Sequence, residues 1–421
     1  MRTLPSAAAG FDAGRHPWAE DGKVTVRDLS VAVIGGGIGG LAAALSLLDA
    51  GIDAHVYEQA ADLREVGAGI QVAPNASRIL HRIGLAPALA QIGVRPGHWH
   101  QRRWDDGRTL LRTDLGGAAV AAFGAPYYHV HRADLLAALA AQLPPERLHL
   151  GHRLTVVATH DDRAEARFAD GTTVAADAVV GADGIRSAVR AALFDRDRPQ
   201  FTGCIAYRGL VPAERLAHLD LPVEAVAWLG PGNHFVHYYV RGGALFNFVS
   251  VIDRDTWTAE SWTEPGAVAD VLAAFEGWHP VVREIIGSVD ETFVWGLFDH
   301  PPMARWSHGR VTLLGDSCHA MLPFIAQGAA QAIEDGACLA ACLAAAPDDV
   351  PAALQRYERI RLPRTSHVQG LATTNKQRFH LPDGPAQAAR DSEMAQGSTD
   401  WSFKAIAPIF GHDAAVLPPD A

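Results

Sequence analysis

Three carboxylates stand where apolar, strand-like runs end. Glu58 closes "DAHVYEQ", Asp183 follows "AVVGA", and Asp316 follows "RVTLLG". Ligands of open α/β sheets gather outside the carboxyl ends of the strands, so an acid there is an acceptor aimed at a ligand's hydroxyls. Ahead of Glu58 lies Gly35-x-Gly37-x-x-Gly40, inside "VAVIGGGIGGLAAALSLLDAG". The first glycine permits a tight turn. The second lets backbone N–H groups approach a pyrophosphate at a helix N-terminus, where the dipole favours an anion. The third allows close helix–strand packing, and Glu58 ends the next strand as a ribose acceptor. Strand, glycines, helix and acid in that order are the context a dinucleotide fingerprint needs.

The elements that must hold these residues are legible around them. Val31 to Ile34 is a β-branched run of the kind buried in a parallel strand, and Ile38, Leu41, Ala42, Leu45 and Leu48 fall at helical spacing before Gly51. The nucleotide unit then breaks off. Residues 97–115 read as a hairpin around Asp106–Gly107, 131–143 as an amphipathic helix, and the stretch before Asp183 as a small meander feeding a buried strand over 178–181. Between Asp183 and Asp316, "CIAYRGLV", "AVAWLG", "HFVHYYV" and "ALFNFVSVI" read as short antiparallel strands with "PGN" and "RGG" as turns. Alternation puts Tyr207 and Arg208 on opposite faces, and it groups Phe235, His237 and Tyr239 on one face. Such a face, aromatic with a few polar tips, suits a small aromatic ligand.

Composition narrows the class. Apolar residues make up 48% and charged residues 20%, which is globular usage. A net charge of −11 argues against nucleic acid and against anionic membranes as partners. Residues 29–48 carry no charge, but the glycines clustered at 35–40 argue against a membrane span. Cys204, Cys318, Cys338 and Cys342 show no C-x-x-C spacing and read as reduced thiols of a cytoplasmic protein. His98 and His100 lack metal-site company and His319 beside Cys318 reads as packing, so no metal is expected.

In three ordered motifs, GGGIGG at 35–40, GADGIRS at 181–187 and GDSCHAMLPFIAQGAAQAIEDG at 315–336, the chain resembles the group A flavin-dependent aromatic hydroxylases, the class of 4-hydroxybenzoate and salicylate hydroxylases. The likeness runs from about residue 30 into the C-terminal region. It implies an α/β fold: a Rossmann-type FAD-binding domain (30–95, 130–195, 300–345) interleaved with a mostly antiparallel-sheet substrate domain (96–129, 196–299). An extension over 1–29 and C-terminal helices and tail over 346–421 complete the chain. It also implies non-covalent FAD held through Gly35, Gly37, Gly40, Glu58, Asp183 and Asp316, with Arg132 of "VHRADLL" as a further FAD contact. Residues 323–328 would pass the flavin face, and a helix starting at Gly328–Ala329 would aim free N–H groups at the edge where negative charge collects on reduction.

The reaction so implied is hydroxylation of a small phenolic acid, salicylate or another hydroxybenzoate, by O2 and NADH or NADPH through a flavin C4a-hydroperoxide. No Arg cluster marks a 2′-phosphate site, which favours NADH. Tyr207 stands where the resemblance places a substrate-contacting Tyr or His. His237 has the near-neutral pKa that suits phenol deprotonation, and Arg208 and Arg241 are candidate carboxylate partners. Two rivals fit the same motifs: a hydroxylase of a heteroaromatic or larger aromatic, and a nucleotide-binding protein without catalysis. A monomer or a homodimer is expected. Residues 351–379 read as a helix interrupted by Pro363, and the last forty residues support no assignment.

Overall fold

The β-branched run at Ser30–Ile34 becomes the centre of a six-stranded sheet, flanked in parallel by Asp53–Tyr57 and Ala178–Gly181. Val311–Leu313 extends the sheet in parallel beyond Ala178–Gly181, and Leu148–His149 does so at the other side. Strands buried on both faces need no polar alternation, which is why these read as continuous apolar runs. The structure, a computed structural model, describes residues 29–63, 68–194, 198–257, 264–397 and 402–419. Apart from Leu29, the expected N-terminal extension lies outside the described residues. The uncharged stretch 29–48 is this strand, the glycine turn and the helix Ile38–Asp49. Among the described residues no helix is long and apolar enough to cross a membrane.

The glycines do steric work. Gly35 has φ +112°, and a Cβ there would lie 2.4 Å from the Ala182 carbonyl oxygen. At Gly40 it would lie 2.0 Å from the carbonyl oxygen of Gly35. The helix Gly328–Ala345 packs on Ile38–Asp49 backbone to backbone, because a Cβ on Gly336 would come within 2.7 Å of Ala43 Cα.

The strands after Asp183 assemble as expected into a second sheet, now of eight strands. Its order places Gln200–Pro212 between Thr292–Asp299 and Leu245–Asp253, followed by Asn233–Val240, Ala225–Gly230 and the hairpin His98–Arg103/Thr109–Asp114. All its pairings are antiparallel except that of Ala225–Gly230 with His98–Arg103.

Both faces of this sheet are buried, against different partners. One face carries Ile205, Tyr207, Trp228, Phe235 and Phe248 and packs on the helices Val268–Ala274 and Pro280–Gly287 through Val271, Phe275 and Ile285. The other carries Cys204, Ala206, Ala227, Val251 and Trp295 and packs on Leu322, Phe324 and Ile325, the segment that follows Asp316.

Two differences concern the C-terminal region. The helix Val350–Phe379 runs unbroken through Pro363. Proline costs a helix one N–H bond, but here Arg361 and Val368, both fully buried, tie the helix down on either side of it. The unassigned tail forms helices Pro385–Ala395 and Phe403–Phe410, whose Met394, Ile406 and Phe410 close the core beside Phe123 and Tyr127.

Candidate active site

Three strand ends meet at the carboxyl edge of the parallel sheet: the Gly35 turn, Ala182–Gly184, and Gly315–Asp316. Glu58 Oε2 accepts from the Gly36 N–H at 2.6 Å, and its Oε1 accepts from Ala60 N–H at 2.8 Å. The carboxylate is thus fixed beside the glycine turn. Asp316 is exposed between buried neighbours, at the start of the short helix Asp316–His319. Gly37 and Gly184 open onto free space, where an added Cβ would meet nothing within 4 Å. The helix Ile38–Asp49 begins without a side-chain cap, leaving its first N–H groups for a ligand. Open small residues, an uncapped helix start and two placed carboxylates are what an FAD dinucleotide requires, so the residues present fit it. Arg132 is half-buried, and its N–H bonds the Ala68 carbonyl at 2.8 Å where strand Tyr128–His131 turns into helix.

Asp183 plays a different part from the one expected. Its carboxylate accepts from the Ser187 hydroxyl and from the N–H groups of Ala188 (2.7 Å) and Val189 (3.2 Å). It therefore caps the helix Ala188–Leu193 and shapes the turn. The turn continues through Gly184, at φ +79°, whose N–H donates to Ser317 Oγ at 3.0 Å. Burial pushes the Asp183 carboxyl up, against these hydrogen bonds.

The helix Gly328–Ala345 also starts without a side-chain cap, so Gly328 and Ala329 offer bare N–H groups there. Ala326, just before it, sits at φ +52°. A non-glycine residue in this region costs of order 1–3 kcal/mol and persists only where its surroundings over-determine it. Behind the turn lies a buried ionic network. Arg361, fully buried, bonds Asp335 at 2.7 Å and Glu334, and Arg364 bonds Glu334 at 2.7 and 2.8 Å. Asp335 Oδ2 in turn accepts from the Gly315 N–H at 3.0 Å and contacts His319 Nε2 at 2.6 Å. The acid pair closing the third motif thus ties the turn bearing Asp316 to the C-terminal helix.

The substrate face corrects the expected catalytic pair. Tyr207 and His237 do lie in the second sheet, but on its far face, in the core shared with residues 268–287. His237 Nε2 accepts from Trp228 Nε1–H at 3.0 Å, and burial pushes its imidazole down to about 3. Neither side chain faces the Asp316 side of the sheet. Arg241 is spent on Asp134 at 2.7 Å. The same alternation places His234, Val236 and Tyr238 on the near face, where the His234 ring lies 4.8 Å from that of Phe324. Arg208 shares this face, its guanidinium 3.8 Å over Trp295.

Near Tyr238 the wall is polar. Its ring lies 4.3 Å from His129, and Gly69 N–H donates to Asn247 Oδ1 at 2.7 Å. Among the described residues both ring nitrogens of His129, and Asn247 Nδ2, are buried without a hydrogen-bond partner. His129 and Asn247 are 0% exposed, and leaving such groups unpaired costs about 1–3 kcal/mol each. Sequence reasoning missed His234 and Tyr238. The apolar periodicity of residues 268–286, which marks two covering helices, is the signal that could have told which face was taken. Cys204/Asp253/His380 and Cys318/His319/Asp335 each bring three potential metal ligands within 4.8 Å. Hydrogen bonds join the members of the first group and join His319 to Asp335 in the second, where Cys318 Sγ–H donates instead to the Gly315 carbonyl.

Residues 28–371 match the family model described as an FAD binding domain. The chain is 46% identical over 387 residues to 3-amino-4-hydroxybenzoate 2-monooxygenase PtmB3 of Streptomyces platensis, spanning 91% of this chain and 96% of that protein. The chain belongs to the FAD-dependent aromatic monooxygenases. It is also 40% identical over 349 residues to 6-hydroxynicotinate 3-monooxygenase of Pseudomonas fluorescens, spanning 82% and 90% of the two chains. A salicylate hydroxylase substrate complex superposes with a TM-score of 0.78 at 28% identity, over 93% of this chain and 99% of that one. Klebsiella pneumoniae HpxO, complexed with FAD and uric acid, superposes at 0.79 and 28% identity, over 87% and 93%.

The cofactor of this monooxygenase is FAD, and NAD(P)H is its reductant. Two expectations follow for its binding. Acid precipitation should release the flavin to the supernatant; yellow colour retained in the pellet would show a covalent link. Glu58→Ala should weaken FAD binding about ten- to a hundred-fold, since a hydrogen bond to a charged group is worth about 1.5–3 kcal/mol. FAD titration of the apoprotein reads this directly, and an unchanged affinity would remove Glu58 from the site. A third expectation tests the face assignment. Tyr207→Phe should leave the ratio of product to NAD(P)H consumed at its wild-type value, and a rise in hydrogen peroxide would return Tyr207 to the substrate side.

Proposed function

We propose that this monooxygenase hydroxylates a small phenolic acid of the hydroxybenzoate or aminohydroxybenzoate kind. One observation carries the reading. The near face of the sheet holds an imidazole, His234, at one end and Tyr238 and Asn247, with His129 packed against Tyr238, at the other, while Arg208 stands level with Val236 and Val249 between them. A flat ring with a hydroxyl at one edge and a carboxylate at another matches that spread. His234 takes the hydroxyl proton: burial holds its imidazole well below the usual range, so the ring is unprotonated at neutral pH and has a free nitrogen to accept. Arg208 supplies the positive charge for the carboxylate, and Asn247 Nδ2 and a His129 N–H complete its hydrogen bonds. Tyr238 keeps its proton, since burial pushes the phenol up against the pull of Arg208, and serves as a neutral hydroxyl.

Reduced FAD supplies the oxygen-transfer chemistry when bound. The chain's own residues orient the ring, move its proton and keep water away through Leu322, Phe324 and Ile325. The activity named for PtmB3 supports the same substrate class, and that of 6-hydroxynicotinate 3-monooxygenase represents the heteroaromatic rival. Four buried thiols, all free, fit a cytoplasmic setting. The test is a panel of hydroxybenzoates, aminohydroxybenzoates and hydroxylated pyridines scored for stimulated NAD(P)H oxidation, with the product identified. A phenolic acid converted with little hydrogen peroxide supports the reading. A panel in which only hydroxylated pyridines react overturns it in favour of a heteroaromatic substrate.

A further inference from the structure

We propose that His234, His380 and Asp253 form a proton relay that carries the substrate's hydroxyl proton from the buried face of the sheet to solvent. The inference rests on the function proposed above and adds the route by which the proton leaves. His234 is 4% exposed and His380 7%. The His234 ring is walled by Phe324 at 4.8 Å and Phe379 at 5.4 Å. A base enclosed in this way cannot hold the positive charge it gains, so a proton must leave from its other nitrogen. His234 Nδ1 lies 2.7 Å from His380 Nε2, and His380 Nδ1 lies 2.7 Å from Asp253 Oδ1. The Asp253 side chain is 47% exposed, so the chain of contacts ends in water.

The three groups come from three elements, and the backbone locks them together. Gly232 N–H donates to the His380 carbonyl at 3.1 Å, and Asp253 N–H donates to the Gly232 carbonyl at 2.9 Å. His380 follows the last residue of the helix Val350–Phe379, so the C-terminal helix delivers the middle member to the sheet. Cys204 Sγ–H donates to the same Asp253 oxygen at 3.2 Å. Burial would raise the Asp253 carboxyl, but the hydrogen bond from His380 holds it below its ordinary value, ionised and able to accept.

The transfer balances. At the start each imidazole is neutral with its proton on Nδ1, His234 donating to His380 and His380 donating to Asp253. The substrate O–H bond breaks and its proton joins His234 Nε2, leaving a phenolate. The Nδ1 proton of His234 moves to His380 Nε2, and the Nδ1 proton of His380 moves to Asp253 Oδ1, from which water removes it. One proton enters and one leaves, and both rings end as Nε2–H tautomers. No electrons are exchanged.

His380 and Asp253 act through His234, so the test must separate relay from scaffold. Phenolate absorbance is followed by stopped flow after the FAD-loaded enzyme is mixed with a phenolic acid identified in the panel, without oxygen, in H2O and in D2O. His380→Gln and Asp253→Asn keep hydrogen-bonding groups but cannot pass a proton along this path. Each should slow phenolate formation about 10- to 100-fold, within the range that positioned acid–base groups contribute, with FAD content and thermal midpoint near wild type. In His380→Ala, added imidazole should restore much of the rate, and in wild type the rate should fall in D2O. Wild-type phenolate kinetics in both conservative variants would overturn the relay alone. So would slowing that tracks FAD loss and ignores imidazole. If no phenolic acid stimulates NAD(P)H oxidation or gives a phenolate band in the wild type, the proposed function falls, and the relay with it.

Discussion

His234→Gln is expected to slow ring hydroxylation by about 10²- to 10⁴-fold, the usual contribution of a positioned general base. Its FAD content should stay at the wild-type level. The argument is positional. His234 is the buried imidazole on the near face, beside the Phe324 segment that follows Asp316, and its ring contacts neither the glycine turn nor Glu58. Glutamine keeps the volume and a donor but cannot accept a proton at neutral pH. Substrate should still bind, held by the groups around Tyr238 and Arg208, so the loss should fall on turnover more than on KM. The measurement is single-turnover product formation beside FAD absorbance. Near-wild-type turnover would take His234 out of the chemistry, and the residue to examine would then be Tyr238.

Arg361→Met should destabilise the fold by about 3–5 kcal/mol, because removing one partner strands buried carboxylates without their countercharge. Glu334, Asp335 and Arg361 are each 0% exposed, so no water can take the arginine's place cheaply. Arg364 still covers Glu334, which leaves Asp335 as the group most exposed to the loss. Burial alone would raise the Asp335 carboxyl, but His319 and Arg361 outweigh it and hold it at about 2. A depressed carboxylate stabilises the fold above its unfolded pKa, and that contribution is lost as pH falls through the folded value. In the wild type this contribution should be full above the unfolded carboxylate value and be lost progressively as pH falls to about 2, whereas Arg361→Met should have less of it to lose. Since Asp335 also holds the Gly315 N–H, FAD retention should fall along with stability. Denaturant unfolding at two pH values checks both parts. A loss below about 1 kcal/mol, the scale of an ordinary surface pair, would show that the network tolerates a neutral replacement.

How far the sequence alone reached depended on the range over which each feature is decided. The glycine turn was legible because it is local: Gly35 and Gly40 are required by backbone atoms a few residues away in the fold, and Glu58 ends the very next strand. Asp316 was legible as an acid at a strand end, and the second sheet as a run of alternating segments with turn residues between them. Alternation also sorted the side chains correctly into two sets, with Phe235, His237 and Tyr239 together and His234, Val236 and Tyr238 opposite. Which set looks toward the cofactor was not in that pattern. A period of two separates faces but says nothing of what covers them, and both faces here are buried and mix aromatic with polar side chains. The choice was made by helices at 268–287 on one side and the segment 322–325 on the other. The same holds for Arg361, which finds Asp335 across two helices, and for His380, which reaches His234 from the end of the C-terminal helix. Such pairs are set by the packing of whole elements, and no local spacing records them.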